Sequence, residues 1–572
     1  MLVEPKTKFN EEDVIGRECK HAQYTTGPKN PMNGSRDDLV CIKEIIHLKD
    51  GRRIPNVRNV INYERPFWIT RDGFRDHQEK KEWEKVDKLQ KFECTQANLQ
   101  DAVRRALKIM SPARGMRQLG QNPYLYGSDI SSTAIIKRKY MDKWKDCRSQ
   151  NSVAVLDLET DVVRGSEDPI YGAITFKDKA ILVATSWFVE EFDNFEQQMK
   201  DYFYKRLPET AKERNIKLEV QVAETPLHLI EKLIAKAHEW MPDFLAIWNM
   251  NFDIPKIIDT IEKYGGNIHE IFSDPSVPKM FRKVWYKEGP SKKVTASGKE
   301  MALHWADRWH TLYAPASFYV IDQAAVFRKL RIANGMEPSY ALDAILQKYT
   351  KVRKLKNEKA DTMSGLEWHI YMQKNEKLEY GVYNLFDCIG CEILDEQPKV
   401  GDLRQSISIQ CGHSDYDKFP SGPRRTVDDL HYTCLEKGLV IAATPSQLRT
   451  EFDEATVSIN NWIVTLPAHL IEESGLKNLK ELPNTRTMIH VAVYDLDVSA
   501  AYPNGEDVLN ASKGTTVSER VKIKGCTEAI QRAAGINLTA GEINANEIIC
   551  SICKGPTFEE LLKDFEEVEL AS

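Results

Sequence analysis

A four-residue apolar run, Val153-Ala154-Val155-Leu156, ends in Asp157-Leu158-Glu159-Thr160. Side chains of a strand alternate between its two faces, so Asp157 and Glu159, separated by one residue, emerge together on one face. From Ser152 onward, strand-like runs alternate with helical ones. Ala173-Ile174-Thr175-Phe176 and Ala180-Ile181-Leu182-Val183-Ala184 read as strands. Thr225 as N-cap and Pro226 at the first helical position then announce a helix with Leu227, Ile230, Leu233, Ile234, Ala237 and Trp240 on its apolar face. The run Phe244-Leu245-Ala246-Ile247-Trp248 follows as another strand. This alternation predicts a layered α/β domain in which carboxylates at strand ends and on a late helix converge at one edge.

Two later stretches supply those carboxylates. In Trp248-Asn249-Met250-Asn251-Phe252-Asp253, the acid comes just after a buried strand, and Asn249 and Phe252 are candidates to contact a terminal nucleotide. In Tyr383-Asn384-Leu385-Phe386-Asp387, the phenol and the carboxylate are four apart in a helical segment and so share a face. Two-metal phosphodiester hydrolysis needs carboxylates that hold divalent cations roughly 3.5–4 Å apart. Hard oxygen ligands suit Mg2+ or Mn2+. An Asp-x-Glu pair alone is usually a solvated strand end; the order of all three stretches is what points to phosphodiester chemistry.

A fourth stretch, Val493-Tyr494-Asp495-Leu496-Asp497-Val498-Ser499-Ala500-Ala501-Tyr502-Pro503, carries acids at the end of another apolar run. With 572 residues the chain is too long for one core and divides into about three or four domains. The composition, 42% hydrophobic and 29% charged, is that of globular cores. A net charge of -6 is a weak argument against nucleic acid, because carboxylates can collect at metal sites while Lys and Arg line a groove. No window approaches the roughly 18 apolar residues needed to cross a bilayer, and the N-terminus lacks a signal pattern. Eleven dispersed cysteines suit a reducing cytoplasm. The Cys388/Cys391 and Cys550/Cys553 pairs read as buried thiols on helical segments rather than as zinc ligands. Lys137-Arg138-Lys139-Tyr140 with Lys143, Trp144 and Lys145, and the run Lys351 to Lys356, read first as solvated basic faces and second as phosphate contacts. Gly289 to Lys299 reads as a hairpin tip or loop.

Together the first three stretches resemble the exonuclease motifs of the DEDD superfamily, in the tyrosine-bearing subclass found in family B DNA polymerases. The resemblance implies an RNase H-like 3′→5′ proofreading domain with Asp157, Glu159, Asp253 and Asp387 as ligands for two Mg2+ or Mn2+ ions, and Tyr383 orienting the attacking water. Pro338-Ser339-Tyr340-Ala341-Leu342-Asp343 resembles a segment between the second and third motifs of phage members. The fourth stretch is similar to polymerase motif A, which implies Asp497 as a metal ligand at the polymerase site and Tyr502 packing under the deoxyribose. Ala500 and Ala501 depart from that motif, and Asp495 offers a competing acid. No Lys-x3-Asn-x2-Tyr-Gly or Asp-Thr-Asp motif follows.

The expectation is therefore the N-terminal part of a family B DNA polymerase of the T-even-like bacteriophage type, at work in the host cytoplasm. It would act on a DNA primer-template and need a C-terminal polymerase chain with fingers, remaining palm and thumb. A sliding clamp is a candidate partner; a membrane is not. The expected domains are a mixed α+β N-terminal domain over 1–150, the exonuclease domain over 151–400, a boundary over 401–425 and the start of an incomplete palm over 426–572. A free-standing 3′→5′ exonuclease and a noncatalytic DNA-binding assembly subunit are the alternatives.

Overall fold

The computed structural model describes residues 9–443 apart from 79, 111–114, 295–299 and 356–362, and beyond them the backbone of two short strands. The chain divides into two compact units, Met1–Leu448 and Arg449–Ser572.

The first unit opens with an antiparallel sheet of β1 (Val14–Lys29), β2 (Arg36–Leu48) and β3 (Arg53–Ile61). Next come β4 (Glu64–Thr70), β5 (Trp83–Lys85), β6 (Leu89–Thr95) and β7 (Leu125–Tyr126), of which β4 lies between β6 and β7. Arg65 on β4 is buried at 1% exposure, which is tolerable because its guanidinium donates to the carbonyls of Gly127 and Ser128 at 2.8 and 3.1 Å and to Gln96 Oε1 at 3.0 Å. The helix Leu99–Ala106 buries Leu99 and Val103, while Met110, beyond its end, is exposed.

The helix Ser132–Lys143 departs in part from the solvated basic face expected of it. Lys137 is buried, donates to the Ser414 carbonyl at 2.6 Å and lies over the Tyr416 ring. Arg138 pairs with Asp142 and Glu436, and the Tyr140 hydroxyl donates to Glu44 Oε2 at 2.6 Å. Lys139, Lys143 and Lys145 remain exposed as expected, so only the Lys137, Arg138 and Tyr140 side of the run is taken up by partners from distant segments.

A six-stranded mixed sheet follows, built of β8 (Val153–Thr160), β9 (Pro169–Phe176), β10 (Lys179–Thr185), β11 (Lys217–Ala223), β12 (Phe244–Ile247) and, after two short ribbons, a last strand. The ribbons pair β13 (Trp285–Lys287) with β16 (Thr311–Tyr313) and β14 (Lys292–Val294) with β15 (Glu300–Ala302); of the stretch expected as a hairpin tip or loop, Lys292–Val294 is thus a ribbon strand and 295–299 lie outside the described residues. The last strand is β17 (Tyr319–Asp322), and the order is β11-β10-β9-β8-β12-β17. Strand β9 is antiparallel to both neighbours, whereas β10–β11, β8–β12 and β12–β17 are parallel. The molecule is thus of the α/β class.

Alternation along the strands divides the core. Ala154, Leu156, Leu158, Val183 and Leu245 pack with Leu229, Ile230, Leu233 and Ile234 of the helix Pro226–Trp240, whose Thr225 cap accepts from the His228 N–H at 3.2 Å. Val153, Val155, Leu182 and Ala246 pack on the opposite face with Met199, Phe203 and the 20-residue helix Lys377–Glu396. Asp157 and Glu159 continue this second face. Cys388 and Cys391 are buried in that helix as expected; Cys550 and Cys553 lie outside the described residues.

Residues 401–425, expected as a boundary, instead form helical turns whose Leu403, Ile407, Cys411, Tyr416 and Phe419 belong to the same core as the sheet. The helix Gly422–Glu436 and β18 (Leu439–Ile441), at the expected start of a palm, return to the first 150 residues, where β18 pairs with β5. Gly, Ser and Pro in this stretch mark tight turns between short helices, not a linker. Among the described residues no helix is long and apolar enough to cross a membrane. In the second unit, β19 (Leu479–Glu481) pairs antiparallel with β20 (Met488–His490). Asp497 and Tyr502 lie outside the described residues.

Candidate active site

Three elements bring the four acids to one place. Strand β8 carries Asp157 and Glu159; the helix Met250–Lys263, which starts just after β12, carries Asp253 in its first turn; the helix Lys377–Glu396 carries Asp387. Asp322, at the end of β17, fixes the start of the Met250 helix by accepting from the Met250 N–H at 3.0 Å while capping its own helix through the Ala325 N–H at 2.9 Å. Asp253 accepts from the Leu158 N–H, which ties it to the residue between the two acids of β8.

Each acid is held above the ordinary carboxylate range. Burial raises Asp157 to about 7, aided by the Asp387 charge. Burial and the Asp157 charge raise Glu159; burial and the charges of Asp157 and Glu159 raise Asp253. Burial also raises Asp387, against the opposing pull of Lys354. The charges of Asp157 and Asp387 act on Glu159, and those of Asp157 and Glu159 on Asp253, so the acids lie within electrostatic reach of one another.

Lys354 was legible only as part of a basic run. Its ammonium forms an ion pair with Asp387 Oδ2, donates to the Tyr383 hydroxyl at 2.9 Å and lies over the Tyr383 ring. Its backbone N–H donates to Asp343 Oδ1 at 2.9 Å, and the Tyr340 carbonyl accepts from Trp248 Nε1 at 3.0 Å. The 338–343 segment therefore braces both Trp248 and the Lys354 loop. The Asn384 amide donates to Asp157 Oδ2 at 2.7 Å, and the Tyr380 hydroxyl donates to Glu159 Oε2. Tyr380 and Asn384 were detectable in principle, since they stand four apart and three residues before Tyr383 and Asp387, on nearly the same helical face. Asn249 precedes the first turn of its helix, and Phe252 is half exposed beside the buried Asp253.

The donor set suits a hard divalent cation: all four acids are oxygen donors, and Asp387 Oδ1 is buried without a hydrogen-bond partner. Among the described residues, however, no three His, Cys, Asp or Glu side chains are gathered closely enough to hold a metal as they stand. Lys354 contributes the positive charge beside Asp387 instead. No protein-family model matches the chain, and a comparison with curated proteins found no matching sequence.

The raised acids have a consequence for stability. In the unfolded chain an Asp ionises near 4. Between there and about 7 the folded protein keeps a proton on Asp157 that the unfolded chain has lost, so this contribution is full at acid pH and is lost as pH rises through that window. With divalent ions chelated, Asp157→Asn should gain stability relative to wild type by on the order of 2 kcal/mol from about pH 5 to about pH 8. Parallel thermal melts of the two proteins check this; a difference independent of pH would contradict it.

Proposed function

We propose that this chain is a metal-dependent 3′→5′ DNA exonuclease of the DEDD type, carried on an RNase H-like domain, and that it forms the N-terminal part of a family B DNA polymerase. The observation that carries the reading is the convergence of Asp157, Glu159, Asp253 and Asp387, from three distant segments, beside Tyr383. When bound, Mg2+ or Mn2+ would lower the pKa of the attacking water and offset charge on the leaving oxygen. Attack of water on the terminal phosphorus forms one P–O bond and breaks the P–O3′ bond, releasing a nucleoside 5′-monophosphate and leaving a new 3′-hydroxyl. The four carboxylates would hold the ions. Tyr383, whose phenol stays protonated because burial and Asp387 raise it, orients the water. Phe252 presents an exposed ring for the terminal base, with Asn249 beside it. DNA synthesis needs a C-terminal partner that completes the palm begun by Asp497 and Tyr502.

A second reading, a noncatalytic DNA-binding assembly subunit, draws on the position of Lys354 against Asp387. Incubating the purified chain with a 3′-labelled primer-template and Mg2+, with and without deoxynucleotides, separates the two. Mononucleotide release without primer extension is the expected result. Tight DNA binding with no release in either Mg2+ or Mn2+ would favour the subunit.

A further inference from the structure

Glu159 is held by one phenol, and that phenol is itself held. Tyr380 is fully buried, near the start of the helix Lys377–Glu396, and its hydroxyl donates to Glu159 Oε2. Gln373 Nε2 reaches the same phenol oxygen at 3.3 Å and the Thr160 carbonyl at 2.8 Å, while Gln373 Oε1 accepts from the Val162 N–H at 3.2 Å. The amide thus joins Tyr380 to the backbone immediately after Glu159. His369 Nδ1 lies 2.8 Å from the phenol oxygen and 3.6 Å from Glu159 Oε2. The ring is enclosed by aromatics: Tyr383 lies parallel at 6.2 Å and 7°, Trp368 at 6.0 Å and Tyr171 at 6.2 Å.

We propose that Tyr380, braced by Gln373, is a positioning residue that holds the Glu159 carboxylate in the orientation from which it ligates a hard divalent cation. Burial of the ring leaves the hydroxyl one place to be, and Glu159, buried on the same face, gives up its rotamer freedom to the bond. A long carboxylate side chain loses conformational entropy when it is ordered. With Tyr380 in place, that ordering is complete before the metal arrives. Oε1 is the oxygen that Tyr380 does not engage. Asn384, which donates to Asp157 Oδ2, treats the other acid of β8 in the same manner from the same helix. Partners of this kind govern metal affinity because they orient the ligand rather than touch the ion.

The inference rests on reading the carboxylates as a metal site, so its test measures metal binding directly as well as nuclease activity. The full chain is titrated with Mn2+, and the paramagnetic resonance signal of the free ion is followed. Tyr380→Phe, which keeps the ring, should weaken Mn2+ binding about tenfold and lower kcat with KM for a single-stranded oligonucleotide little changed. Gln373→Leu, which frees the phenol without touching Glu159, should weaken it roughly threefold. Tyr204→Phe, which removes a phenol bonded to the Ile216 carbonyl, is the control and should bind as wild type does. Wild-type Mn2+ affinity in Tyr380→Phe would overturn the positioning role while leaving the nuclease reading intact. If Tyr380→Phe does not fold, Gln373→Leu decides by the same measure. Absence of Mn2+ binding by the wild-type chain would overturn the metal-site reading, and the positioning role with it.

Discussion

Asp157→Ala combined with Glu159→Ala should abolish metal-dependent release of nucleotides from a DNA 3′ end. The expected loss is at least about a thousandfold, or roughly 4 kcal/mol of transition-state stabilisation. The two acids leave β8 on one face, the Asp157 charge is part of what raises Glu159, and Asp253 is tied to the peptide between them. Removing both takes away half of the carboxylates and leaves no pair on a single strand to hold a cation. DNA affinity should change no more than a few fold, because phosphates are held by Lys and Arg and not by carboxylates. Degradation of a labelled oligonucleotide, with filter binding of the same DNA in parallel, checks both halves. Unchanged degradation would remove the site assignment.

Gly172→Val should produce the largest loss of stability, about 3 kcal/mol, through overpacking. Gly172 lies on β9, opposite Leu158 of β8 and Val183 of β10. A Cβ there would fall 2.4 Å from Leu233 Cδ1, 2.9 Å from Leu158 Cδ2 and 3.1 Å from Leu229 Cδ2. All three leucines are buried, so the added methyl groups have no open space into which to push them. The helix Pro226–Trp240 approaches the sheet closely because this position has no side chain. Leu158 stands between Asp157 and Glu159, so the same substitution should also displace the acids and depress nuclease activity beyond the effect of unfolding. Thermal melting of wild type and variant, followed by activity well below both transitions, separates the two effects. Equal melting temperatures would contradict the packing argument.

Much of the α/β body was legible in the chain because its signals are local. Period-two alternation in Val153 to Glu159 set which residues meet the Pro226 helix and which meet the Lys377 helix, and so put both acids on one face. Thr225 and Pro226 marked a helix start that the backbone adopts. The same local logic failed in part at Ser132–Lys143. A run of Lys, Arg and Tyr looks solvated until Ser414, Glu436 and Glu44, all far away in sequence, supply its partners. It failed again at 401–425, where turn residues suggested a boundary but Leu403, Ile407 and Phe419 join the core of the sheet, and at the expected start of a palm, where β18 pairs with β5.

At the site, sequence order alone singled out Asp157, Glu159, Asp253, Tyr383 and Asp387, because residue type and spacing suffice to place a carboxylate on a strand face or helix turn. Only the tertiary structure decided what surrounds them. The Lys354 ammonium rests on Asp387 and Tyr383, Tyr380 holds Glu159, and Asn384 holds Asp157. Strand and helix periods fix which way a side chain leaves its own element. A buried charge takes its partner from whichever element packs against it, and the long-range fold of the chain sets that choice.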